Sequence, residues 1–319
     1  MNTTYGLDAI PPPVKTGGLL AVFFEIAPYK KVVPSPQPIY KNACRSIPML
    51  CNFGGFVPLS TVDWHGRSVC VVFLRGCPAR CFYCHNIGIT TGIDIYPVDT
   101  VLDMIQTARP FISGVIFSGG EATAQPDVLA ALCKECKDRQ LATGIHTNGM
   151  FPATVQSLID QNLIDKIALD VKTTWDLYPD VAAVDPAPIK ATLDLCTHAY
   201  QTGMLAEFEV VTTLFRGHEE DVATIAAYFP TDIPYVLQQG VVRGFKPLAG
   251  PEIEQVAAPI GRPVLVRTRQ TGEYRYPSRI DPNLYALKPE FDAIARDPDR
   301  VKDADRLRKK IERGYFPKY

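Results

Sequence analysis

A chain of 319 residues, 46% hydrophobic and 21% charged, is long enough to bury a full core, which excludes a disordered or fibrous protein. Its 33 Lys and Arg against 34 Asp and Glu leave a net charge of −1, so there is no global basic field and a nucleic-acid partner is not expected.

Residues 1–54 contain Pro11, Pro12, Pro13, Pro34, Pro36 and Pro38, which prevent a long helix, and read as an irregular N-terminal extension. Within them the apolar run from Gly17 to Ala27 is broken by Glu25 and is shorter than the about 20 residues of a membrane span. It lacks the basic start and small-residue cleavage site of an export signal, so it is expected to be a strand in a cytoplasmic protein.

From Val69 the pattern alternates strand, loop and helix, the signature of parallel βα units. Expected strands are Val69–Arg75, Gly114–Ser118, Ala142–His146, Lys166–Lys172, Ala206–Leu214, Tyr235–Gln239 and Val264–Arg267. Expected helices are Val98–Ala108, Asp127–Arg139, Ala153–Gln161, Ile189–Gln201 and Glu220–Phe229. About six such units close, fully or partly, into a barrel whose chemistry sits at the carboxyl ends of the strands. Residues 55–275 form this core, and 276–319 a charged tail. Its Arg300–Arg313 stretch places Val301, Ala304, Leu307 and Ile311 on one narrow apolar stripe, as in a solvated helix docked on the domain. From Tyr276 onward 11 Lys and Arg oppose 8 acids, a net of +3 that suits an acidic protein patch.

Nine cysteines in a reducing compartment stay free, and any that cluster point to metal or catalysis. Cys77, Cys81 and Cys84 lie on the loop after the first strand of the core. Three thiolates there suit three corners of a cubane iron–sulfur cluster and leave one iron open for a substrate or cofactor. A c-type haem at Cys81-Phe82-Tyr83-Cys84-His85 and a structural zinc with His85 as fourth ligand are the alternatives. The second strand ends in Gly119-Gly120-Glu121, where glycines allow close backbone approach to a ligand and the carboxylate accepts from a ligand ammonium. Cys133 and Cys136 are expected to pack inside their helix, and Cys44, Cys51 and Cys70 to be free thiols rather than ligands of an auxiliary cluster. His65, His198 and His218 show no ligand spacing.

Alternation puts Asp170 and Lys172 on one side of their strand with Ala168, and Ile167, Leu169 and Val171 on the other. The charged side is expected to face the barrel interior, meeting either a ligand or an internal ion-pair network. Glu207 and Glu209 share a face by the same rule and carry the same two readings.

The Cys-x3-Cys-x2-Cys loop, the aromatic Tyr83 and Gly119-Gly120-Glu121 together resemble the radical S-adenosylmethionine (SAM) superfamily over roughly residues 55–270. That resemblance implies a partial (β/α)6 barrel, a 4Fe-4S cluster on Cys77, Cys81 and Cys84, and SAM chelated to its open iron. It further implies that Gly119, Gly120 and Glu121 hold the methionyl ammonium, that Tyr83 lies near the adenine, and that reductive SAM cleavage yields a 5′-deoxyadenosyl radical. The flanks are similar to anaerobic ribonucleotide reductase activating proteins: Gly55 to Arg67 leading into Val72 to Cys77, then Cys84-His85-Asn86, Thr147-Asn148-Gly149 and Ala168 to Lys172. Those enzymes take a hydrogen atom from a glycine of a partner protein. The resemblance adds Thr147, Asn148, Asp170 and Lys172 to the cofactor-binding set, a low-potential flavodoxin- or ferredoxin-type electron donor and a glycyl-radical enzyme as partners. No residue is singled out as catalytic. Ala122, His146 and Val211 stand where related activases carry proline, aspartate and arginine. Two other readings are a radical SAM enzyme modifying a small molecule or residue during maturation, and a non-catalytic metal-binding module, against which Gly119–Glu121 argues.

Overall fold

The structure is a computed structural model and describes residues 48–241 and 246–277. The expected strand at Gly17–Ala27, the helix at Arg300–Arg313 and Cys44 lie outside the described residues.

The first element is a strand, β1 (Leu50–Ser60), so the boundary drawn at 54/55 falls inside a strand and residues 50–54 are not irregular. Gly54, Gly55 and Pro58 had masked it, and the ladder to the next strand skips register at Phe53/Gly55 and Val57/Ser60, where those residues sit. Then follow β2 (Val69–Leu74), β3 (Ile95–Pro97), α1 (Val98–Ala108), β4 (Gly114–Gly119), α2 (Pro126–Asp138), β5 (Ala142–Thr147), α3 (Pro152–Asp160) and β6 (Lys166–Asp170). The second half runs α4 (Tyr178–Ala182), α5 (Ala187–Gln201), β7 (Glu207–Leu214), α6 (Asp221–Ala226), β8 (Tyr235–Gln239), α7 (Gly250–Ala257), β9 (Val264–Thr268) and β10 (Gly272–Tyr276). Every expected core strand and helix is present. The strand expected to reach Lys172 ends at Asp170, and the helix expected to reach Phe229 ends at Ala226.

One sheet of order β10-β9-β8-β7-β6-β5-β4-β2-β1-β3 holds these strands. The run from β2 to β9 is parallel throughout, while β1 and β10 pair antiparallel at either side. Six βα units leading to a seventh parallel strand, with edges at β3 and β10, make a partial barrel. The helices cover the outer face: Val101, Leu129, Leu158, Leu193, Ile225 and Ile253 share one buried cluster with Val115, Ile145, Ile167, Leu169 and Val210. Cys51, Cys70, Cys133, Cys136 and Cys196 are free and buried in that cluster. Burial raises the thiol pKa of each, to about 12 for Cys70 and Cys136, which keeps them protonated.

The loop joining β1 to β2 closes the amino end of the barrel. Trp64 packs on Val69, Val71 and Ile116, and its Nε1–H donates to Glu207 at 2.9 Å. A single ring therefore touches both β4 and β7, which requires the sheet to curl. Above it Glu209 joins Lys166 and Arg267, each at 3.2 Å, and Arg267 Nε donates to Glu273 at 2.8 Å. For Glu209, then, the ion-pair reading holds, whereas Glu207 is held by the Trp64 indole and not by a cation. No helix among the described residues is long and apolar enough to cross a membrane.

Candidate functional site

The residues that carry chemistry converge at the other end of the barrel, where β2, β4, β5 and β6 finish. The loop leaving β2 carries Cys77, Cys81 and Cys84, all half-buried. Its backbone is strapped to the following segment by Gly76 N–H to Ile89 O at 2.8 Å and Cys77 N–H to Thr90 O at 3.0 Å, and to the end of α4 by Arg80 N–H to Ala182 O at 2.8 Å. Arg75 Nη1 donates to Gly88 O and Thr91 O. The loop is thus held by backbone straps and by packing of Ala79, Cys77 and Cys81 on Tyr178 and Ala182 of α4 and Ile189 of α5.

Gly119 and Gly120 are glycine for a reason the sequence did not show. A Cβ on Gly119 would stand 2.0 Å from Leu74 O and one on Gly120 2.3 Å from Gly76 O. The end of β4 presses directly on the root of the cysteine loop, with Gly120 N–H to Leu74 O at 3.0 Å and Glu121 N–H to Gly76 O at 2.7 Å. The glycines permit backbone to approach backbone; a ligand need not be invoked for their small size.

Glu121 is 2% exposed and serves as a hub. Its Oε1 accepts from Thr123 N–H at 3.1 Å, Thr123 Oγ1 at 2.5 Å and Thr147 Oγ1 at 2.7 Å, and its Oε2 accepts from Asn148 N–H at 2.7 Å. Burial pushes its carboxyl pKa up, and these hydrogen bonds pull back against that rise. Through Glu121 the β4 turn and the Thr147-Asn148-Gly149 turn after β5 become one unit. Asn148 Nδ2 in turn lies 3.5 Å from Cys77 Sγ.

Opposite, Asp170 ends β6 and pairs with Lys172 at 2.5 Å. Burial alone would lower the Lys172 pKa; the adjacent Asp170 carboxylate, with Tyr83 and Cys81, more than offsets it and raises it well above the usual value. The same ammonium sits 5.7 Å from the Tyr83 ring centroid. Asp170 Oδ1 and Tyr83 Oη are both buried without a hydrogen-bond partner, two polar atoms left open beside the thiols. Asp170 keeps 32% of its side chain exposed while Lys172 keeps 8%, so the ammonium is the more deeply buried member of the pair.

A cavity of about 150 Å³ adjoins the loop, lined by Phe82, Phe215, Arg216, His218, Gly240, Lys246 and Pro247. Phe82 meets Phe215 edge-on at 5.0 Å, and Phe215 lies 4.4 Å from the His218 ring. Tyr83 backs this wall, 4.7 Å from Phe215, and does not line the cavity. The sequence points to Tyr83, gives Phe82 only a place in the haem alternative, reads His218 as a histidine without ligand spacing, and does not mark Phe215. The segments that follow β7 and β8 carry no motif, and only their place beside the cysteine loop gives them meaning. Of the departures noted, Val211 joins Ala168 and Val236 in an apolar patch of inner wall, and His146 Nε2 lies 3.1 Å from Asp63 O on the amino side of the site.

The donor set fits an iron–sulfur cubane. Thiolate is the ligand such clusters take, the loop supplies three, and neighbouring Asp170, Lys172 and Tyr83 leave polar atoms for a second ligand. Burial pushes the Cys77 thiol up to about 11 and Cys81 up as well, so without a metal cation both stay protonated. Among the described residues no three His, Cys, Asp or Glu side chains stand close enough to share one metal ion. A cubane asks less, since it presents a separate iron to each thiolate.

A parallel, partly closed βα barrel with three thiols at its carboxyl mouth defines a metal-dependent enzyme built on that end of the strands. The profile of the Radical SAM superfamily matches residues 71–228. A protein of Methanocaldococcus jannaschii named as a glycyl-radical enzyme activating enzyme is 30% identical over 195 residues, 58% of this chain and 78% of its own length. The pyruvate formate-lyase 1-activating enzyme of Escherichia coli (strain K12) is 34% identical over 129 residues, 38% of this chain and 52% of its own. Among solved structures, QueE from Escherichia coli superposes with a TM-score of 0.44 and 12% identity, covering 70% of this chain and 94% of that one. The chain belongs to the radical SAM superfamily, enzymes that work with a 4Fe-4S cluster and S-adenosylmethionine.

Proposed function

We propose that this protein activates a glycyl-radical enzyme, with Cys77, Cys81 and Cys84 as cluster ligands and SAM in the space between Glu121 and Asp170. The observation that carries the reading is the joining of the cysteine loop, the β4 turn and the β5 turn through Glu121 and Asn148, facing two unpartnered buried oxygens across the barrel mouth. When bound, the cluster and SAM supply reductive cleavage to methionine and a 5′-deoxyadenosyl radical, the species that takes a hydrogen atom.

The residues divide the remaining work. The backbone at Gly119–Gly120 and the Glu121 hub position the methionyl ammonium, with Thr147 and Asn148 fixing the carboxylate. Asp170 and Lys172 present one charge of each sign to the polar groups of SAM, and Tyr83 supports the wall behind them. The aromatic cavity beside Phe82 takes the adenine, because stacked rings accept a flat base and exclude water from its faces. Electrons come from a low-potential flavodoxin or ferredoxin. The hydrogen donor is a glycine of a glycyl-radical enzyme, the partner kind that the name of the Methanocaldococcus jannaschii relative supports, and the flanking motifs favour an anaerobic ribonucleotide reductase as that enzyme.

Incubation of anaerobically reconstituted protein with SAM, a low-potential reductant and the ribonucleotide reductase encoded in the same genome tests this reading. A glycyl-radical doublet in the electron paramagnetic resonance (EPR) spectrum is expected. Deoxyadenosine release stimulated by a small-molecule fraction of the cell extract, with no doublet on the reductase, would replace it with a maturation enzyme.

A further inference from the structure

Asn148 is buried, and its hydrogen-bonding groups have fixed directions. Its backbone N–H is held by Glu121, and its Oδ1 accepts from Met150 N–H at 3.1 Å. The next residue is pinned as well, Gly149 O accepting from Thr192 Oγ1 at 2.7 Å. Because a backbone donor occupies the carbonyl end of the amide, the side chain is not free to flip. The end left facing Cys77 Sγ at 3.5 Å is the NH2, which only donates. A hydrogen bond donated to a ligand sulfur withdraws electron density from it and favours the reduced, more negative state of a cluster.

We propose that Asn148 is a redox-tuning residue: held by Glu121 and Met150, its amide raises the reduction potential of the cluster that Cys77 ligates. This rests on the assignment of Cys77 as a ligand. It gives the Thr-Asn-Gly turn a task distinct from contacting SAM, namely lowering the driving force that the external one-electron donor must supply. The redox step itself is simple: one electron passes from a reduced flavodoxin- or ferredoxin-type protein to the cluster, with no proton or bond change on Asn148.

The test is an EPR-monitored redox titration of reconstituted wild type, Asn148→Ala and Asn148→Asp. Aspartate keeps the oxygen that accepts from Met150 but, ionised, donates nothing; alanine removes both contacts. Both variants should carry the full cluster and show about tenfold less of it reduced at a fixed applied potential, equivalent to about 59 mV for a one-electron couple. Loaded variants with the wild-type midpoint would overturn the proposal. A second readout needs no variant: the iron–sulfur stretching bands of wild type in resonance Raman should shift on exchange into D2O, and unmoved bands would likewise overturn it. Full iron content in Cys77→Ala would instead defeat the ligand assignment, a separate failure from an unmoved midpoint.

Discussion

The two ends of the barrel interior each bring acidic, basic and aromatic side chains together and arrange them to opposite effect. At the amino end Trp64, Glu207, Lys166, Glu209, Arg267 and Glu273 satisfy one another, carboxylate to cation and indole to carboxylate. At the carboxyl end the Asp170–Lys172 pair leaves Asp170 Oδ1 open, Tyr83 Oη has no partner, and three free thiols stand on one loop. A buried polar group without a partner costs about 1–3 kcal/mol, so a fold keeps such groups where a ligand completes them. Charge inside a barrel therefore does not by itself mark a site, and neither does incomplete pairing, which Thr197 and Arg262 also show; incomplete pairing beside three clustered thiols does.

The sharpest break of that contrast is at the thiols. Cys77→Ala, Cys81→Ala and Cys84→Ala should each lose essentially all of the about four irons bound after anaerobic reconstitution, while Cys133→Ala and Cys196→Ala keep them, as an iron assay will show.

Next comes the amino end, where damage should appear as lost stability. Glu209→Leu leaves Lys166 buried without its carboxylate and Arg267 with Glu273 alone, and should lower unfolding free energy by about 3–5 kcal/mol in urea titrations. Trp64→Ala opens the plug at a similar cost of about 3–5 kcal/mol. The pH dependence carries the same signature. Burial would raise the Glu209 pKa, but Lys166, Arg267 and His146 hold it below its ordinary value. A depressed carboxylate contributes stability that is present above its unfolded pKa of about 4.3 and is lost as pH falls through the folded value. Wild type should therefore lose stability more steeply in acid than Glu209→Gln, as thermal melts between pH 5 and pH 2 will register.

Effects at the carboxyl end should be smaller in stability and visible in ligand binding. Glu121→Gln gives up charge-assisted acceptance from Thr123, Thr147 and Asn148, and should weaken SAM binding by about 1.5–3 kcal/mol in calorimetry while iron is retained. Asp170→Asn should weaken it by about 1 kcal/mol and, because the buried Lys172 ammonium loses its carboxylate, should also lower unfolding free energy by about 1–3 kcal/mol, less than the loss at Glu209. Wild-type affinity in Asp170→Asn would make this pair another internal bridge, like those at the amino end.

How much of this was legible in the sequence follows the same division. Apolar periodicity located the parallel strands and their helices, because each βα unit reports on its own burial within a few residues. The cysteine loop and Gly119-Gly120-Glu121 were legible because their chemistry is local. The Arg267–Glu209 pair was not, since it joins residues 58 apart whose meeting depends on the register of β7, β8 and β9. Neither was the Trp64–Glu207 contact, 143 residues apart, nor β1, whose two glycines and proline disguise a strand. The meeting of Phe215 and His218 with Phe82 escaped for the same reason: they are ordinary loop residues until the fold sets them there.

The most direct test of the claim that the carboxyl mouth is an incomplete site is the EPR spectrum of the reduced cluster before and after SAM is added. Three thiolates leave one iron open, so the account expects the g-values to change on SAM addition in wild type and the change to weaken in Asp170→Asn. A cluster signal that SAM leaves unaltered in wild type would contradict it.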